Sequence, residues 1–329
     1  MSSASALRRN DLVEVKTPAE ILATLDENGK TDGLSFMPEM AACCGRRFVV
    51  DRRGDKICDS NQYTGSRRLP DSVLLTGLRC TGNEHGGCQA ECRLFWKESW
   101  LRKVDPDSPL VEPASNESMQ LLLERTRANA RHMVNRDGQQ LERWACQATE
   151  MFQATNHLKV YDPRPYIGQY LNGNVSLGKC VRISMRAFVE EPFRRIGLAS
   201  KVVKGVAEPK KPGEPLNLQP GDWVRVRPEE EIRQTLTLGG FNRGLWFDRE
   251  FLQYCGKVFQ VRRRIERLID ESRDIGRMIE LKSDAVTLEG AWCTGDVSQR
   301  QWFCPRNAMA YWRECWLERV DPPASEKQD

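Results

Sequence analysis

Polar and apolar residues alternate over Asp11–Lys16 (DLVEVK), with Leu12 on one face and Val13 and Val15 on the other, which predicts a short half-buried strand. A helix start follows. Thr17 can cap it, Pro18 takes the first helical position and Glu20 completes a capping box, so the helix should run through Leu25 and stop near Gly29. Further strands are predicted over Arg46–Arg53 (RRFVVDRR) and Ser72–Leu78 (SVLLTGL), with a polar turn at Asp59–Gly65 between them. If these strands pair antiparallel, Cys44 entering the first and Cys80 leaving the second become neighbours at one end of the hairpin.

After Pro106 the pattern changes. Ser115–Arg127, Gly138–Ala154 and Val175–Arg195 carry helical spacing, with Pro192 placed to bend or end the last. Residues 107–200 therefore read as a mostly helical connector, and 201–219, rich in Lys and Pro, as an exposed linker. The alternation then returns. WVRVR after Gly221-Asp222 matches LVEVK, Glu231-Ile232 matches Glu20-Ile21, Cys255-Gly256 matches Cys44-Gly45, and VFQVRRR (Val258–Arg264) matches RFVVDRR. Both copies carry G-x-x-C-T-G and end in W-L-x-[RK]-V-D-P, with Cys293 standing for Cys80 and Cys304 for Cys88. The Cys44-to-Cys80 spacing is 36 residues and the Cys255-to-Cys293 spacing is 38. A tandem repeat is predicted, 10–106 and 220–322, flanked by a polar, disordered lead-in at 1–9 and a tail at 323–329.

Composition narrows the classes. The 329 residues leave room for two or three domains, and 50 Lys+Arg against 46 Asp+Glu is too balanced for an electrostatic nucleic-acid binder. No apolar run approaches the roughly 18–20 residues of a membrane helix, and MSSASALRRNDLVEV lacks the apolar centre of a signal peptide. A cytoplasmic protein with reduced thiols and no membrane partner is expected. Twelve cysteines there argue for metal ligation over disulfides, with burial as ordinary core residues the bland alternative.

The cysteines supply the candidate chemistry. Cys88 and Cys92 are spaced C-x3-C, which on a helix puts both sulfurs on one face, and Gly86 and Gly87 before them permit a tight turn. Cys44 and Cys80 from the hairpin end would complete a four-thiolate site. Such sets hold zinc or an iron–sulfur cluster such as 4Fe–4S; only one short pair, where zinc sites commonly use two, tilts the reading toward a cluster. His85 reads as solvated, or as support behind a ligand.

The second copy offers Cys255, Cys293 and Cys304, with Ala308 where Cys92 would be. Cys146 is the proposed fourth ligand there, because Cys146-Gln147-Ala148 repeats Cys88-Gln89-Ala90; Cys180 and Cys315 are further candidates. Three thiolates with an open position would instead suit a catalytic metal, and a degenerate copy without metal is the remaining alternative. Phe95, Trp96, Trp100, Tyr311, Trp312 and Trp316 are expected to pack cores, although aromatics can also stack bases. The arginine runs at 46–47, 52–53 and 262–264 are expected on solvated strand faces. No Walker loop, dinucleotide fingerprint or nucleophile elbow is present.

The run Pro220–Arg227 (PGDWVRVR) resembles the first strand of Src-homology-3-like small barrels, including nucleic-acid-binding and enzyme-subunit versions. The resemblance implies an α+β chain: two homologous small β-barrel domains joined by the helical connector. The longer pattern GLSFMPEM…CG…GLRC…HGGCQAEC…FWKESWL resembles an uncharacterised family of bacterial cysteine-rich proteins, and it carries over no catalytic residue. The expected function is a metal-binding tandem-repeat protein in an accessory or electron-transfer role with a protein partner. An enzyme using an open metal site in the second copy is one rival, and a nucleic-acid-binding adaptor the other.

Overall fold

The computed structural model describes residues 6–58, 66–109, 115–136, 138–159, 162–196, 202–211, 213–271, 276–281, 284–297 and 302–323. The polar turn at 59–65, the first five residues, most of the tail and part of the Lys/Pro linker fall outside them. The chain is a mixed α and β protein, rich in strands. It forms two compact units: Met1–Ala187 with Arg267–Ile279 and Arg300–Asn307, and Phe188–Glu266 with Glu280–Gln299 and Ala308–Asp329.

In the first unit five antiparallel strands form one sheet: β1 (Leu12–Val15), β2 (Arg47–Arg53), β3 (Ser72–Arg79), β4 (Arg93–Lys97) and β5 (Leu101–Lys103), in the order β4-β3-β2-β1-β5. Val13 and Val15 are fully buried, as the alternation requires. Thr17 caps α1 (Pro18–Leu22): its hydroxyl accepts from Glu20 N while the Glu20 carboxylate accepts from Thr17 N. The helix stops before Leu25 because Thr24 N and its hydroxyl both bond the Ile21 carbonyl, which a continuing helix would need for Leu25. Phe36 meets Trp96 and Trp100 edge-on at 6.1 and 5.1 Å, and both indoles are fully buried. Each such ring contributes about 4–6 kcal/mol of gross hydrophobic stabilisation.

Residues 107–187 do not form a separate connector. α2 (Asn116–Ala130) buries Leu122, and Cys146, Ala148, Met151 and Ala154 join it in the core behind the first sheet. The helix expected over Gly138–Ala154 is replaced by a hairpin, β6 (Arg131–Arg136) with β7 (Gln139–Trp144), followed by the short helix Met151–Ala154. The i, i+3 spacing of Leu141 and Trp144 loses there to six cross-strand pairs. α3 (Leu177–Arg195) keeps Pro192 inside it, and the boundary between the units falls within this helix. Two segments expected to belong to the second repeat fold with the first unit. Arg267 O accepts from Gln89 N, Gly276 O from Trp144 N, and Trp302 O from the Lys56 ammonium.

The second unit has its own five-stranded sheet: β8 (Trp223–Val226), β9 (Val258–Arg264), β10 (Ala285–Leu288), β11 (Trp312–Arg313) and β12 (Leu317–Arg319), ordered β11-β10-β9-β8-β12. Its registers correspond to those of the first. Val224↔Phe259 and Val224↔Arg319 stand where Val13↔Phe48 and Val13↔Lys103 do, and each sheet has an irregularity just after Val50 or Val261. Phe247 meets Trp316 edge-on at 5.1 Å, the spacing of Phe36 and Trp100.

Not every strand arginine is solvated. Arg53 is buried, held by Asp55 and Glu98, and Arg264 pairs with the buried Glu314 at 2.6 Å. Among the described residues, no helix is long and apolar enough to cross a membrane.

Candidate metal centre

The Cys88 and Cys92 pair sits in an irregular loop between β3 and β4, not on a helix. Gly82, Gly86 and Gly87 all have positive φ, at 71°, 61° and 74°. A Cβ on Gly82 would fall 1.9 Å from the Cys88 carbonyl oxygen, so this position admits only glycine. His85 N and Gly87 N both donate to Gly82 O, and Cys80 N donates to Cys92 O at 2.8 Å, closing the neck of the loop. The segment from 267 clasps its far side: Arg267 N donates to the Gln89 side chain, and Ile269 N donates to Cys88 Sγ at 3.4 Å.

His85 is buried, contrary to the solvated reading, because both ring nitrogens are engaged. Nδ1 lies 2.7 Å from Glu39 Oε1, and Nε2 lies 3.1 Å from the carbonyl of Ala145, next to Cys146. Glu39 Oε1 also accepts from Glu84 N at 3.2 Å and stands 3.9 Å from Cys80 Sγ. His85 and Glu39 thus tie the cysteine loop to the turn that carries Cys146. Glu39 Oε2 is buried with no hydrogen-bond partner, an unmet acceptor beside Cys80.

The ionisation of Cys80 and of Cys92 is influenced by neighbouring cysteines. Burial pushes Cys80 far up, and Glu39, Cys92 and Cys146 add to it. Burial likewise raises Cys92 strongly; Glu271, Cys146 and Cys88 add to that, while Arg306 opposes it. Burial raises Cys146 to about 11 against hydrogen bonds from Thr149. Cys88 is raised by burial, with the N–H groups of Ala90 and Ile269 opposing. Cys146, expected in the second site, therefore stands with the thiols of the first unit.

Cys44 does not share this coupling. It is pushed up to about 12 by burial and then by neighbouring Cys43. The antiparallel pairing on which the hairpin argument rests does form, but its paired residues stop at Val50↔Leu75, short of Cys44 and Cys80. The earlier half of β2 pairs with β1.

The three cysteines of the second copy are not gathered either. Cys255 and Cys293 lie in the second unit, whereas Cys304 lies in Arg300–Asn307 of the first. Burial, then Glu229 and Glu230, raise Cys255 to about 11, and Cys293 N donates to Ala308 O. Cys304 Sγ instead lies 3.0 Å from Cys58 Sγ. Cys58 belongs to no motif in the sequence, and only the fold exposes its pairing. Cys180 Sγ is 3.9 Å from the Tyr166 carbonyl, and Cys315 accepts weakly from Asn242.

All twelve cysteines are thiols. Among the described residues, no three Cys, His, Asp or Glu side chains are grouped closely enough to hold one metal ion. No protein-family model, curated protein or solved structure matches the chain.

Proposed function

We propose that the first unit is a cysteine-ligated metal protein whose centre is held by Cys80, Cys88, Cys92 and Cys146, in an accessory or electron-carrying role beside a protein partner. The observation that supports this most is that Cys80, Cys88 and Cys92 share one glycine-shaped loop whose His85 meets the carbonyl of Ala145, next to the buried Cys146. The donor set fits such a group: four sulfurs, an unmet buried carboxylate oxygen on Glu39 and a backbone N–H on Cys88 Sγ. The single short pair, Cys88 and Cys92, where zinc sites commonly use two, favours an iron–sulfur cluster over zinc.

A bound cluster would supply one-electron redox chemistry, whereas zinc would only fix the loop. The chain's own part is to orient the sulfurs through the Glu39–His85 tie, to donate a hydrogen bond to Cys88 from Ile269, and to keep water from Cys146. We also read the two five-stranded sheets as Src-homology-3-like small barrels of one tandem repeat. Their matched strand orders and registers support that reading.

Anaerobic purification followed by iron, zinc and acid-labile sulfide analysis tests the centre. Ser at Cys80, Cys88, Cys92 or Cys146 should each remove the metal, and Cys44→Ser, Cys255→Ser and Cys293→Ser should leave it in place. Metal-free wild-type protein, or loss of metal with Cys44→Ser but not Cys146→Ser, would overturn the assignment.

A further inference from the structure

Cys58 and Cys304 form a pair apart from the four thiols assigned above. Cys58 ends the short strand Ile57–Cys58, and Cys304 lies 246 residues later in the same unit. Their sulfurs are in hydrogen-bond contact at 3.0 Å, and Cys58 N donates to Cys304 Sγ at 3.2 Å. Two cations serve this dry corner. Lys56, fully buried, donates to the Trp302 carbonyl and stands 5.1 Å from the centre of the Tyr166 ring. Arg306 pairs with Glu271 at 2.9 Å, and its charge bears on both sulfurs.

The surroundings select one thiolate. Burial alone would push Cys304 up, but the hydrogen bond with Cys58, the charge of Arg306 and the N–H groups of Arg306 and Cys58 outweigh it and bring Cys304 down to about 6. Burial brings Lys56 down to about 8, while Cys304 and Cys58 hold it up. Cys43, Cys44, Cys80, Cys88, Cys92, Cys146, Cys255 and Cys315 all move the other way. A thiolate next to a second thiol is the arrangement that oxidation converts to a disulfide.

We infer that Cys58 and Cys304 are a redox-active dithiol that a small hydroperoxide oxidises to a disulfide. Cys304 is 2% exposed and Cys58 7%, burial that requires an oxidant close to water in size and excludes a peptide disulfide such as oxidised glutathione. In the first step the Cys304 thiolate attacks one peroxide oxygen. The S–O bond forms, the O–O bond breaks, and hydroxide or alkoxide leaves to take a proton from solvent. In the second step the Cys58 sulfur gives up its proton and attacks the sulfenic sulfur. The S–S bond forms, the S–O bond breaks, and the departing hydroxide takes the proton as water. Two thiols and one hydroperoxide thus give one disulfide, one water and one alcohol or second water, with two electrons passing from sulfur to oxygen. The sulfurs need to close by only about 1 Å, within the reach of side-chain rotation.

The test uses the full chain, reduced, desalted and treated with a few equivalents of hydrogen peroxide. Remaining thiols are blocked with N-ethylmaleimide in denaturant, and the digest is mapped without reductant. The expected product is a peptide pair linked through Cys58 and Cys304, restored to two thiols by dithiothreitol, while Cys180 and Cys315 are recovered alkylated. Cys304 should oxidise roughly 10-fold faster than either of these. In Cys58→Ser, dimedone should trap a sulfenic acid on Cys304. Recovery of both cysteines as maleimide adducts under peroxide that oxidises others, or a disulfide from either to a different cysteine, would overturn the inference. Loss of bound metal in Cys58→Ser would also overturn it, by assigning the pair to the metal centre. If Cys58→Ser fails to fold, the wild-type peptide map decides alone.

Discussion

Nδ1 of His85 lies 2.7 Å from Oε1 of Glu39, with both side chains shielded from water. Breaking such a buried pair strands the partner left behind. His85→Ala should therefore cost about 3–5 kcal/mol of stability, whereas Glu39→Gln, which keeps an acceptor for the ring, should cost less. Urea unfolding of the metal-free protein measures both. Equal and small losses would mean that the pair does not tie the loop to Ala145.

The cysteine loop also depends on Gly82, where an added Cβ meets the Cys88 carbonyl at 1.9 Å. At Gly45, also at positive φ, a Cβ would meet nothing within 4 Å. Gly45→Ala should cost only the left-handed penalty of about 1–2 kcal/mol. Gly82→Ala carries that penalty and a backbone clash, so its unfolding midpoint should fall well below that of Gly45→Ala. It should also abolish any metal binding at Cys80 and Cys88. Similar midpoints for the two variants would refute the clash.

Thr17→Ala removes one side of the capping box on α1 and should lower stability by about 1 kcal/mol, within a range of 0.5–2. The denaturant midpoint should shift with no change in slope, since the exposed area on unfolding is unaltered.

Cys44 and Cys255 hold matching places, each ending a 3-10 turn with φ,ψ of −56°,135° and −55°,134°. Burial raises both in the folded protein, to about 12 and about 11. An unfolded thiol titrates near 8.5–9, so from about pH 9 upward the native state holds more protons and stability falls as pH rises, by at most about 1.4 kcal/mol per pH unit for Cys44. Half-exposed Cys255 contributes less, because solvent screens it. Lys56 has the opposite sign. Burial lowers it to about 8, so between about pH 8 and 10.5 the unfolded state binds the extra proton and stability rises with pH. Guanidinium midpoints from pH 7.5 to 11 should therefore fall more gently in Cys44→Ser and more steeply in Lys56→Met than in wild type. Unchanged slopes in both variants would contradict these assignments.

The local features were legible in the sequence. DLVEVK gave its two buried valines, TPAE gave a complete capping box, and the W-L endings gave Trp100 and Trp316 their places in the two cores. What depends on distant chain was not. Leu141, Trp144, Ala148 and Met151 satisfy a helical period, yet Arg131–Arg136 lies close enough to claim Gln139–Trp144 as a strand, and periodicity cannot register a competitor. The repeat alignment placed Cys304 with Cys255 and Cys293, because similarity between copies carries no information on which unit a loop folds with. Cys58 has no counterpart or motif, and only its sulfur contact marks it.

That Lys56 and Cys58 find their partners at Trp302 and Cys304 has a consequence in time. Protein synthesis proceeds at about 5–20 residues per second, so these two residues leave the ribosome roughly 12–50 seconds before the residues that cover them. Throughout that interval a lysine and a cysteine destined for a dry interior stand in water. The first unit, although it begins the chain, is among the last parts to be completed, and a nascent chain halted before Trp302 would remain open there for a chaperone or a protease to find.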